Sequence, residues 1–239
     1  MKLDILVLAA HPDDAEMSCG GTLAREIANG KKVGIVDFTR GELGTRGTPE
    51  IRLQEAEEAG RVLGISAREN LGFRDGFFVN DEAHQLKVVE VIRRYQPDLL
   101  IANAIDDRHP DHGKGAALAE TAHFLSGLRR IETFEPDGTP QQPWRARQVF
   151  HYIQDRYIKP DIVVDISEFW EKKVESVKAY RSQFYNPESG EPTSYISSKA
   201  FFDFLIARWR ETGHQIGAEF GEGFTSYRQL GTDSLFSLK

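Results

Sequence analysis

Two short polar runs hold the residue types best able to do chemistry in this chain. His11-Pro12-Asp13-Asp14 lies near the amino terminus, and His109-Pro110-Asp111-His112 lies near the middle. His11, Asp14 and His112 are suitable ligands for a divalent metal, with Asp13, His109 and Asp111 beside them. Imidazole and carboxylate donors suit Zn²⁺, and ligand type alone does not separate it from Fe²⁺. Three protein ligands leave a fourth position for water, the arrangement of a catalytic rather than a structural zinc site. Next to such a site a carboxylate can accept and return a proton, and a cationic imidazole can face developing negative charge. Taken singly, each run also reads as a loop whose carboxylate caps the next helix. Two such runs at matching places in the fold favour a site. The HExxH and CxxC patterns of other zinc proteins are absent.

The elements that must position these runs are legible in the hydrophobic pattern. Ile5 to Ala10 is a continuous apolar run, as expected of a strand covered on both faces. A helix is expected from Gly20 to Asn29, ended by Gly30. Val33 to Phe38 reads as a second buried strand. Pro49 opens a helix on which Leu53, Ala56, Gly60 and Leu63 recur at three- and four-residue intervals. Leu86, Val89, Ile92 and Tyr95 mark another helix, closed by Pro97, and Asp98 to Ala102 gives a third strand. This alternation predicts an α/β fold: a doubly wound, mostly parallel, Rossmann-like sheet with helices on both faces. Ligands in such sheets bind at the carboxyl ends of the strands, and both polar runs fall there. In the second half, Val149 to Ile153 and Ile162 to Ile166 read as strands. Ser167 is placed to cap a helix carrying Trp170, Val174, Val177 and Phe184, and a further helix carries Phe201, Leu205 and Trp209. The expectation is one domain over residues 1–239 with a C-terminal helical addition.

Composition narrows the class of function. The chain has 239 residues, 40% hydrophobic and 28% charged, enough for a core without disulfides. Its lone cysteine, Cys19, forms no intrachain disulfide, and packing suits it better than nucleophilic work without an activating base. Ile5 to Ala10 is too short to cross a bilayer and is followed by charge where a leader peptide would be cleaved. The net charge of −7 argues against a general nucleic-acid binder. A cytoplasmic protein with a small-molecule partner, and neither nucleic acid nor membrane, is expected.

The two runs resemble the paired signatures of the LmbE/PIG-L zinc deacetylases. The similarity continues through Gly20-Gly21-Thr22-Leu23, Arg52 with Glu55, Ala59 and Leu63-Gly64, Leu71 to Gly76 and Gly221-Glu222-Gly223-Phe224. Gly41 to Glu50 resembles the bacillithiol-pathway branch, whose members deacetylate N-acetylglucosaminyl malate. The resemblance implies a hydrolase that removes the N-acetyl group from an N-acetylglucosamine conjugate, foremost that one, and a homo-oligomer. It makes His11, Asp14 and His112 the zinc ligands, Asp13 the general base, and His109 the group facing the oxyanion or leaving amine. Asp111 is placed to orient the His109 ring.

Arg52 and Asp75 match family positions that hydrogen-bond sugar hydroxyls. Arg46, Arg108 and Arg145 are candidates for gripping a substrate carboxylate, since guanidinium binds carboxylate through two parallel bonds. For Arg46 and Arg145 a solvated ion pair is the plainer expectation. Some relatives hold a mobile tyrosine just before the second histidine run. Here that position is Asp107, and Tyr195 is the candidate substitute. The competing readings are deacetylation of another acetylated sugar such as a chitin disaccharide or a glycolipid headgroup, a metal-dependent phosphatase, and a non-catalytic binding module on the same fold.

Overall fold

The apolar run after Leu3 forms β1 (Ile5–Ala9), every residue of which is buried. In the computed structural model, which describes residues 1–237, it is followed by α1 (Asp14–Ala28), β2 (Val33–Thr39), α2 (Pro49–Leu63) and β3 (Ala67–Phe73). Then come α3 (Glu82–Tyr95), β4 (Leu99–Ala102), α4 (Pro110–Ser126) and β5 (Gln148–Tyr152). The remainder supplies β6 (Ile162–Asp165), α5 (Trp170–Lys178), α6 (Lys199–His214) and β7 (Gly221–Thr225). The seven strands form one sheet in the order β3-β2-β1-β4-β5-β7-β6. The first five pair in parallel, and β7 runs antiparallel to both β5 and β6. Among the described residues no helix is long and apolar enough to cross a membrane.

Alternation along the strands divides the core into two layers. Leu6 and Leu8 join Val36, Phe38, Leu100 and Ala102 in a cluster completed by residues of α3 and α4. Ile5, Val7 and Ala9 point the other way and pack with Ile35, Ile101 and the α1 residues Cys19 and Leu23. A third cluster joins Met17 of α1 and Ala56 and Ala59 of α2 to Val177, Phe201, Leu205 and Trp209 on the C-terminal helices. Each large apolar side chain so buried contributes roughly 1.5–3 kcal/mol.

Several elements depart from the expected boundaries. Helix α1 begins at Asp14, not Gly20, and every residue from Asp14 to Ala24 is buried. A helix hidden on all sides has no apolar stripe to mark its start. On α2 the buried face is Arg52, Ala56, Ala59, Gly60 and Leu63, while Leu53 is exposed. Strand β3 is a half-exposed edge that carries Arg68, Glu69 and Asn70, so its apolar signal is faint. Strand β7 contains two glycines, which weaken a strand reading. A side chain at Gly221 would meet the Gly213 backbone at 2.8 Å, so the residue is set by the close approach of α6. Ser167 does not cap α5. Its hydroxyl donates to Asp165 and accepts from the Glu219 and Phe220 amides, and the helix ends before Phe184. The C-terminal helices α5 and α6 are joined to the expected strand β6 and to an unexpected one, β7, at one edge of the same sheet.

Candidate active site

From β1 the chain winds outward through β2 to β3, then returns across the sheet to β4 on the other side of β1. Loops leaving the carboxyl ends of β1 and β4 therefore diverge and open a crevice, the usual ligand position in such folds. His11 to Asp14 follows β1, and Asn103 to His112 follows β4. Strands β2, β3 and β5 bring Arg46, Asp75 and Gln154 to the same end. The result is a cleft of about 360 Å³ whose lining includes His11, Asp13, Asp14, Asp75, His109 and His112.

Asp14 stands between the two imidazoles. Its carboxylate lies 3.5 Å from His11 Nδ1 and 3.1 Å from His112 Nε2. It is held there by the His11 amide (3.0 Å), Asn103 Nδ2 (2.9 Å) and Gln154 Nε2 (2.9 Å). His112 Nδ1 is bonded to Asp107 at 2.6 Å, and Asp107 also accepts from the Arg156 amide. The other nitrogen of the His112 ring is thereby aimed at Asp14. His11 Nε2 is 3.0 Å from Asp75 and 3.5 Å from Asp111. Two overlapping groups, His11/His109/His112 and His11/Asp75/Asp111, have ligand atoms within 4.8 Å of one another.

Charge tests whether a cation fits. Asp13, Asp14, Asp75, Asp107 and Asp111 are all buried, against the permanent cations Arg52 and Lys114. The imidazoles make up the deficit as protons. Burial alone would lower His11, yet Asp111, Asp14 and Asp75 raise it well above the usual histidine range. Burial likewise opposes the charge on His112, but Asp14 and Asp107 push it up to about 9. Burial would raise Asp14 as well, and the His112 and His11 charges hold it well below the usual carboxylate range. A divalent ion supplies the same two charges and replaces those protons, so the donor set fits a metal.

Asp13 differs from its neighbours. Its backbone has φ 111°, a left-handed conformation that costs a non-glycine residue about 1–3 kcal/mol and recurs at functional sites. Burial pushes its carboxyl up to about 7, against the lowering effect of Arg52. Arg52 Nη2 donates to Asp13 at 2.9 Å and to the Pro12 carbonyl, and Nη1 reaches the Gly41 carbonyl. Gly41 has φ 63°, and a side chain there would lie 1.8 Å from that guanidinium. A glycine is needed for Arg52 to reach the site.

His109 and Asp111 are not paired in the expected way. The Asp111 carboxylate faces Lys114, the Gly76 amide and His11, whereas His109 Nδ1 accepts from the Asp111 backbone N–H at 3.2 Å. Burial and the adjacent His11 and His112 charges pull His109 down to about 4. It is thus a neutral ring rather than a cation at neutral pH. With Nδ1 accepting, its proton sits on Nε2, which is free to donate.

The remaining residues sort by position. Arg52 and Asp75 are in the cleft but already engaged, Asp75 with His11 and the Leu43 amide (3.0 Å). Arg46 lines the cleft and is buried, but its guanidinium clamps the Ser182 and Pro192 carbonyls and the Ser189 hydroxyl, so it is neither a solvated pair nor a free anion grip. Arg108 stands exposed at the mouth, bonded to Asp155 at 2.6 Å and stacked 4.4 Å from the Tyr195 ring. Tyr195 donates to the same Asp155 carboxylate at 3.1 Å. Arg145 is not brought to the cleft: it packs on Phe124 and bonds the Phe124 carbonyl at the end of α4. Cys19 is fully buried, and burial followed by Glu222 pushes its thiol well up, which suits packing. Asn103, Gln154 and Asp155 lie just past β4 and β5, and nothing in the sequence pattern beyond that position singles them out. Asp107, where some relatives hold a tyrosine, orients His112 instead.

Comparisons with known proteins bear on this arrangement. The family described as PIG-L, GlcNAc-PI de-N-acetylase, matches residues 6–123. The crystal structure of the conserved protein TT1542 from Thermus thermophilus is similar with a TM-score of 0.86 and 38% identity over 98% of each chain. The N,N'-diacetylchitobiose deacetylase from Pyrococcus horikoshii is 26% identical, with a TM-score of 0.76 over 92% of this chain and 82% of that one. The probable N-acetyl-alpha-D-glucosaminyl L-malate deacetylase 2 from Bacillus cereus is 27% identical over 201 residues, covering 77% of this chain and 84% of the relative.

Proposed function

Because the chain belongs to the PIG-L/LmbE family, with relatives named as deacetylases of N-acetylglucosamine conjugates, we propose that it is such a deacetylase and that its own substrate is N-acetylglucosaminyl malate. The observation that carries this reading is Arg108 at the mouth of the cleft, a half-exposed guanidinium already bound to a carboxylate. A dicarboxylate aglycone can exchange with Asp155 on Arg108 while the sugar enters the cleft, and a guanidinium suits that exchange. The similarity to the Bacillus cereus relative supports the same choice.

His11, Asp14 and His112 would hold one divalent ion, Zn²⁺ in this reading, with Fe²⁺ compatible with the same donors. Such an ion supplies Lewis-acid polarisation of the amide carbonyl and lowers the pKa of a water from about 16 toward about 7. Asp13 is the general base: a buried carboxylate raised to about 7 can take the proton of the attacking water and return it to the leaving nitrogen. Arg52 fixes the Asp13 carboxylate in place. His109 Nε2 donates to the oxygen that gains charge, as a neutral hydrogen-bond donor. Asp107 and Gln154 aim His112 and Asp14. Asp75 fixes His11 and can share its second oxygen with a sugar hydroxyl. Tyr195 and Arg108 close the mouth through Asp155.

A panel of N-acetylglucosaminyl malate, free N-acetylglucosamine and diacetylchitobiose tests the choice of substrate. The malate conjugate should give the highest kcat/KM, by about tenfold or more, the worth of one charged hydrogen bond. Equal rates for all three, or a preference for diacetylchitobiose, would overturn the malate assignment.

A further inference from the structure

Two hollows in the molecule meet at one side chain. Met17, on the first turn of α1, lines the catalytic cleft and also a separate cavity of about 30 Å³. This second cavity runs between α1, the loop after β5, the start of β7 and α6. Its inner end is made by Met17, Ser18 and Gln154, and its outer end by the exposed residues Tyr157 and Gln215. At about 10–15 Å³ per water it has room for about two waters as it stands, so a larger occupant needs a side chain of its wall to move.

The lining is built for a small polar occupant. Ser18 is only 6% exposed, yet its hydroxyl has no hydrogen-bond partner. A buried polar group left in that state is costly unless something visits it. Glu222 also reaches the cavity, but Lys173 and the Gly21 and Thr22 amides neutralise its carboxylate. Arg208 donates to the Gln154 carbonyl at 2.7 Å and is in no ion pair among the described residues. The uncompensated charge of the cavity is therefore positive, which selects an anion.

The partition between the hollows has one fixed part and one movable part. The Gln154 amide is held by Asp14, Asn103 and the Ala104 amide. The Met17 side chain has no polar tie, and an unbranched thioether changes rotamer readily. We propose that the small cavity is the exit through which acetate leaves, with Met17 as its door. This rests on the deacetylase reading. In that hydrolysis the water oxygen bonds to the acyl carbon, the C–N bond breaks, and the nitrogen takes a proton, giving acetate and the free amine. The amino sugar, the larger product, occupies the mouth beside Arg108 and Tyr195. The acyl half faces the apolar part of the cleft at Met17, Phe184 and Phe201, so a rear exit lets acetate depart first.

Product inhibition of the metal-loaded enzyme tests the order. Acetate should inhibit noncompetitively against the conjugate and the amine product competitively. In Met17→Phe, the blocked exit should lower kcat several-fold, turn acetate inhibition competitive, and leave metal content unchanged. Should that variant fail to fold, Arg208→Gln, in the wall of the passage beside Gln154, should lower kcat and KM together, leave kcat/KM unchanged and weaken acetate inhibition. Competitive acetate inhibition of the wild type, with kcat unaltered in the variants, would overturn the passage and leave the deacetylase standing. No acetate release by the wild-type holoenzyme from any N-acetylglucosamine conjugate would instead overturn the deacetylase reading, and the passage with it.

Discussion

Two of the buried ionic clusters on helix α1 lie a few turns apart and are built in opposite ways. Deeper along the helix, Glu222 of β7 accepts from the Gly21 and Thr22 amides and pairs with Lys173 of α5. Lys173 also donates to the Met17 carbonyl and lies 4.4 Å from the Trp209 ring. Both side chains are fully buried and each charge is answered. At the amino end of the same helix, five carboxylates crowd three imidazoles and two fixed cations, and Asp13 holds a strained backbone. The first cluster ties the C-terminal elements to α1 and leaves nothing to react. The second pushes Asp13, His11 and His112 above their ordinary ranges, which is what a reaction can use. Burial of charge is common to both, and satisfaction of charge separates structure from chemistry.

The largest expected effect is at the unsatisfied cluster. Asp13→Ala should lower kcat by about 10²–10⁴-fold, the usual contribution of a general base, while zinc content and thermal midpoint stay close to wild type. Full activity in the purified variant would remove the base assignment. Lys173→Met should do the reverse: lose about 3–5 kcal/mol of stability in urea titration, because Glu222 is left buried without its cation, yet retain turnover per folded molecule. If Lys173→Met instead proved neutral in stability, the contrast between the clusters would fail.

Smaller effects sharpen the same contrast within the cleft. Asp107→Asn should weaken metal affinity by about 10–100-fold in a chelator competition, since it orients His112 from behind. Arg108→Ala should raise KM for the malate conjugate by about tenfold and leave free N-acetylglucosamine unchanged. Arg145→Ala, away from the cleft, should change neither KM.

The parts of the fold that can be read from sequence are those with a strong local signal. β1, β2 and β4 are continuous apolar runs because helices cover both faces, and the carboxyl ends of β1 and β4 locate the cleft. β3 and β7 are not legible, one an exposed edge with charged residues and the other a glycine-containing strand shaped by contact with α6. The histidines and aspartates of the two runs can be found by type and spacing. Their second partners cannot: Asn103 and Gln154 act through long-range contacts, such as the one joining Gln154 to Asp14, 140 residues apart. For the same reason sequence proximity pairs Asp111 with His109, whereas the fold turns it toward His11 and Lys114.

Acetate release from N-acetylglucosaminyl malate decides whether the unsatisfied cluster is a metal-dependent deacetylase centre. The protein would be assayed as purified, after metal stripping, and after zinc is restored. Activity should be lost on stripping and regained with about one zinc bound per chain through His11, Asp14 and His112. Acetate release undiminished in fully stripped protein, or zinc-loaded protein that releases none from this or any other N-acetylglucosamine conjugate, would rule such a centre out.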